Sequence, residues 1–133
     1  MAILFGKIKF TRVNGLREIN FGVFEGLKHD EIMKKHSDLY KKWLADPYKA
    51  RIPKAEPTQV FKKRVMSSIK KILRTNPGKT IAAVCHGGVI GIFLSSILKS
   101  MDFWSYVPSP ASLTTVEYKK GKFRIKKFNR SIA

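Results

Sequence analysis

The sequence is poor in acid and nearly devoid of thiol. Among 133 residues there are 9 Asp and Glu against 27 Lys and Arg, a formal net charge of +18, with one cysteine and three histidines. The lone Cys85 excludes an internal disulfide framework and a cysteine-based zinc site. Long apolar runs are missing too. The longest, Val89 to Leu98, is interrupted by Gly91, Ser95 and Ser96 and is too short to cross a bilayer. Met1 is followed by AILFG, without a basic stretch or a small-residue cleavage site, so no signal peptide is expected.

What is present suits a folded chain. Hydrophobic residues make up 44% of the sequence. A domain of this size buries roughly two-thirds of its unfolded surface. One domain, residues 1–133, is expected, in a soluble and cytoplasmic protein. The surplus lysines come as scattered pairs, such as Lys34/Lys35, Lys62/Lys63 and Lys126/Lys127. Pairs at such intervals decorate solvated faces and create a field that attracts anions of any kind. A specific nucleic-acid site would add recognition motifs, which the sequence does not show, so nucleic acid is a secondary partner class.

The periodicity gives an order of elements. Ile3 to Val13 alternates in part, as a strand does, and Asn14-Gly15 signals a turn. Leu16 to Gly26 has neither helical nor strand period and reads as a structured loop. His29 to Leu44 carries Ile32, His36, Leu39, Tyr40 and Trp43 on one helical face, with Asp30 and Glu31 in the first turn. Pro47, Pro53 and Pro57 mark an extended connection. Thr58 can cap a second helix running to about Thr75, with Val60, Phe61, Val65, Ile69 and Ile72 inward. Ile81 to Cys85 is apolar without alternation, which suits a strand buried on both faces of a parallel sheet. Val89 to Ser100 is a helix apolar almost all round. Leu113 to Tyr118 and Lys122 to Asn129 form a hairpin about Lys119-Lys120-Gly121. The order implies α/β architecture, helices covering a mixed sheet with Ile81 to Cys85 near its middle.

Two segments can carry chemistry. His86-Gly87-Gly88 joins the apolar run to a helix, so free amides and the helix dipole are placed at the end of a strand, a natural anion site. His86 there can stabilise negative charge on a phosphate oxygen, or simply cap the turn. Glu18 lies among Leu16, Ile19, Phe21 and Phe24. A carboxyl group in such a place can act as a general acid, or can pair with Arg12 or Arg17. Glu25 competes for the same role, although Glu25-Gly26 resembles a turn. His29 and His36 are seven residues apart and lack the i, i+4 spacing of a helical zinc motif. Cys85 and His86 are adjacent in an extended segment and point to opposite faces, which argues against a cysteine–histidine pair.

Taken together, Leu16-Arg17-Glu18-Ile19-Asn20-Phe21-Gly22-Val23-Phe24-Glu25-Gly26 and Val84-Cys85-His86-Gly87-Gly88-Val89-Ile90 closely resemble the two later signatures of the histidine phosphatase, or phosphoglycerate-mutase-like, family. The phosphatase branch fits better than the mutase branch, and within it α-ribazole phosphatase and the broad-specificity phosphatases. The resemblance implies a three-layer α/β sandwich with a mixed, mostly parallel sheet and helices on both faces. It implies phosphomonoester hydrolysis through a phosphohistidine, with Glu18 as proton donor and His86 and Gly87 as phosphate-binding residues. It implies no metal and no organic cofactor, and a phosphorylated small molecule or inorganic phosphate as ligand. The family's first signature, R-H-G, which supplies the nucleophilic histidine, does not occur in this sequence. Gly91 stands where many relatives carry an arginine. The chain is expected to match the C-terminal two-thirds of such a domain, with the first strand absent or substituted, and to turn over little on its own. The vacated sheet edge is expected to be filled by Ala2 to Phe5 or by a second copy in a homodimer. Other readings are a non-catalytic module for phospho-ligands or proteins, and a basic nucleic-acid-binding protein.

Overall fold

A computed structural model describes residues 10–132. Three helices and one hairpin organise them: α1 (His29–Ala45), α2 (Thr58–Thr75), α3 (Gly87–Ile97), β1 (Ser112–Lys119) and β2 (Lys122–Ser131). Single 3-10 turns at Asn14–Leu16, Gly22–Phe24 and Trp104–Tyr106 shape the connections.

The helices arise where the apolar spacing predicts them. In α1, Ile32 and Tyr40 are buried, and the Glu31 carboxylate accepts the Lys28 N–H at 2.8 Å, closing the first turn. In α2, Phe61 and Val65 are buried but Val60 is 52% exposed, since only one of two adjacent residues can face the core. Thr58 is not the cap of α2. Pro57 holds that position, and the Thr58 hydroxyl donates instead to the Pro47 carbonyl at 2.9 Å. The central helix α3 starts two residues earlier than its apolar run, at Gly87, and buries Val89, Gly91, Ile92, Leu94 and Ser95.

Two clusters form the interior. The first joins α2 to α3 through Phe61, Val65, Val89, Ile92 and Phe103. The second packs Phe24 against Ile32 and Tyr40 of α1. Trp43 and Trp104 meet edge to face across them, with ring centres 4.8 Å apart. Such aromatic pairs contribute beyond the area they bury. The hairpin turns at Lys120 and Gly121, both at positive φ, and rests on α3 where Phe123 meets Phe93 at 5.4 Å.

The expected central strand is not formed among the described residues. Among the described residues the sheet is the antiparallel β1–β2 pair alone, and residues 80–85 are assigned to no strand. Ile81 is 42% and Val84 62% exposed, against the expectation of burial on both faces. A strand exists only as part of a ladder, and no described segment runs beside this one. The mostly parallel sheet of a three-layer sandwich is therefore absent from the described residues. Nor do residues 10–13 form the end of a strand. The remainder of that predicted strand, and the proposed filling of the edge by Ala2 to Phe5, lie outside the described residues.

Candidate functional site

The loop before α1 is built around Arg64, which α2 projects toward it. The guanidinium donates to both Glu56 carboxylate oxygens, at 2.6 and 2.7 Å. It also donates to the carbonyls of Gly15, Arg17 and Glu18, at 3.0, 2.8 and 3.0 Å. One planar fork thus fixes three carbonyls of an otherwise irregular segment. The Glu56 N–H closes the other side on the Asn20 carbonyl at 2.9 Å. Arg64 beside Glu56 holds that carboxyl below its ordinary range. Close approach is needed here as well. A Cβ on Gly15 would stand 1.8 Å from the Ser68 hydroxyl oxygen.

This frame delivers Glu18 to the start of α3. Its Oε2 accepts the Gly88 N–H at 3.1 Å, and its Oε1 accepts the Ile19 N–H at 3.0 Å. Gly88 has to be small, since a Cβ there would lie 2.4 Å from Glu18 Oε1. The carboxylate thus occupies the amide end of α3, where the helix dipole favours negative charge. His86 is the residue preceding the helix. It is extended in backbone, exposed, and its side chain has no partner among the described residues. The reading of His86 as a side-chain cap is thereby excluded.

The other candidates are elsewhere. Glu25 turns back to accept the Phe21 N–H at 2.6 Å, which fixes the loop and takes no part at α3. Neither Arg12 nor Arg17 pairs with Glu18; Arg64, bound to the carbonyl of Glu18 and not to its carboxylate, is the arginine that matters. The ring of His29 lies 3.0 Å from the Tyr40 hydroxyl, and that of His36 packs on Phe24 with centres 5.9 Å apart, so both belong to the second cluster. Cys85 packs against the first cluster, and burial pushes its thiol up, away from a nucleophilic thiolate. Among the described residues no three His, Cys, Asp or Glu side chains are grouped to hold a metal ion, and no helix is long and apolar enough to cross a membrane.

Beside Glu18 and Gly88 opens a cavity of about 240 Å³, walled by Phe21, Trp43, Phe103 and Trp104. The Trp104 Nε1 is buried with no hydrogen-bond partner among the described residues. Gly91 backs this wall. A Cβ there would come within 2.9 Å of Val107 and 3.2 Å of Phe103, so the position has no room for an arginine in this packing. Sequence reading missed Arg64, Glu56 and the tryptophan wall. Arg64 did leave a signal, standing three residues after Phe61 and four before Ser68, within the inward stripe of α2.

Over residues 2–131 the chain matches the model of the histidine phosphatase superfamily, branch 1, and it belongs to that family. It is 22% identical to phosphoserine phosphatase 1 of Hydrogenobacter thermophilus over 120 residues, which are 84% of this chain and 54% of that protein. Its fold is similar to that of Bacillus stearothermophilus YhfR, with a TM-score of 0.83 and 22% identity over 92% of this chain and 61% of the other. It is similar also to α-ribazole phosphatase from Shigella flexneri, with a TM-score of 0.78 and 20% identity over 96% and 65% of the two chains. The chain spans little more than half the length, 57% and 54%, of two curated relatives that it matches.

Proposed function

We propose that this chain carries the proton-donor and phosphate-holding half of a phosphomonoester hydrolase that works through a phosphohistidine. Glu18 protonates the leaving oxygen, and His86 with the Gly87 amide holds phosphoryl oxygens. The observation that carries this reading is the 3.1 Å bond from Gly88 to Glu18, which joins the two signature segments at one point. Family membership supports a phosphatase, and the names of the relatives support small organic phosphates as ligands. Of the three histidines, His29 and His36 are engaged in the second cluster, and His86 stands two residues before Gly88, the partner of Glu18. None is assigned as nucleophile, so turnover by these 133 residues alone is expected to be very low. Losing a covalent nucleophile costs several orders of magnitude. The three-layer sandwich belongs to the same reading, with residues 80–85 as its central strand once a neighbour, the N-terminal residues or a second copy, pairs with them.

The experiment has two arms. Titration with inorganic phosphate at low ionic strength should show binding that His86→Ala weakens. Hydrolysis of p-nitrophenyl phosphate should be near background for this chain and rise when a strand bearing R-H-G is added at its N-terminus. Absence of phosphate binding, or equal robust turnover with and without the added strand, would overturn the reading. The same titration with DNA against salt concentration tests the nucleic-acid alternative, for which a steep log–log slope without saturation by phosphate is the mark.

A further inference from the structure

We infer that the cavity beside Glu18 seats the apolar, planar leaving group of an aryl phosphate and discriminates against zwitterionic leaving groups such as that of phosphoserine. The inference rests on the phosphomonoesterase reading and adds the substrate class.

Two observations carry it. The first is size. An apolar cavity of about 150 Å³ is enough to take up a benzene ring, and this one has about 240 Å³. The second is the wall. Phe21, Trp43, Phe103 and Trp104 offer ring faces and edges, and the Trp43–Trp104 and Phe103–Trp104 contacts, at 4.8 and 5.0 Å, hold those rings in place. Neither lysine nor arginine lines this cavity, although the chain has 27 of them. A carboxylate placed there would lose its hydration and meet Glu18 as the nearest charge. Arg51 lines an adjoining cavity whose wall includes neither Glu18 nor Gly88.

The test compares ligands of equal charge on the whole chain. Above pH 7 phenyl phosphate and phosphoserine carry the same net charge, so the strong positive field attracts both alike. Binding is read from tryptophan fluorescence and confirmed by calorimetry, with inorganic phosphate as the reference. Phenyl phosphate should bind about tenfold more tightly than phosphoserine, the gain of burying one ring. Equal binding of phenyl phosphate and phosphoserine, with inorganic phosphate bound, would overturn the inference and spare the phosphatase reading. Failure of all three phosphates to bind would overturn both.

Discussion

The carboxylate of Glu18 accepts the amide N–H of Gly88 across seventy residues of sequence, at 3.1 Å. The protein thereby presents an anion of its own to the helix end that an incoming phosphate would use. In the proposed reaction Glu18 delivers a proton, and its charge is also a competitor for the same positive potential.

Replacing that charge should therefore tighten anion binding. Glu18→Gln keeps an oxygen for the Gly88 N–H and removes the negative charge. Two charges a few ångströms apart near a surface repel by about 1 kcal/mol or more after screening, so inorganic phosphate should bind about fivefold more tightly. Calorimetry at low ionic strength checks this. Unchanged or weaker affinity would mean that phosphate binds away from α3.

The Arg64–Glu56 pair should make the fold acid-sensitive. Its side chains are only 17% and 11% exposed, and the guanidinium holds the Glu56 carboxyl below the ordinary value of 4.5. A lowered native pKa adds stability that is complete above about pH 4.5 and is lost as the pH falls from there through the native value. Urea unfolding of the wild type should lose stability below that point, and Glu56→Gln should flatten this part of the profile. Arg64→Ala should cost about 3 kcal/mol at neutral pH, because it strands a buried carboxylate and frees three carbonyls.

Gly22 should not tolerate alanine. Its φ is +57°, and a Cβ would sit 2.2 Å from the Pro53 carbonyl oxygen, which already accepts the Val23 N–H. Strained backbone together with a contact against main chain should cost at least about 2 kcal/mol. A shift of the thermal midpoint by only a degree would contradict this.

Cys85 should react slowly. Burial raises its thiol above the ordinary 9.0, so little thiolate is present near neutrality. Iodoacetamide labelling at pH 8 should lag behind that of a free thiol and accelerate only as the pH rises past 9. Cys85→Ser should leave phosphate binding unchanged.

The sequence made some of this legible and hid the rest for identifiable reasons. The three helices and the hairpin follow from residues whose spacing declares a single face, such as Ile32 and Tyr40, or from a turn that needs positive φ, such as Gly121. Glu18 and His86 could be singled out because a carboxyl in an aperiodic loop and a histidine before two glycines have few structural reasons to be there. The contact of Glu18 with Gly88 was not visible, since it depends on Arg64 gathering three carbonyls from a loop some fifty residues earlier. No local pattern encodes a contact of that kind. Residues 80–85 have the composition of a buried strand, but burial is conferred by neighbours, and no described segment runs beside them.

Those six residues also set the colloidal behaviour of the chain. An exposed apolar stretch that no described strand pairs with is a template for edge-to-edge pairing. Against it stands a formal charge of +18, which keeps like molecules apart over the Debye length. That length shrinks from about 30 Å at 0.01 M salt to about 8 Å at 0.15 M. Dilute buffer thus acts as a dispersant and physiological salt removes the barrier. The same stretch should stay dispersed in one medium and pair in the other, without any change in the fold.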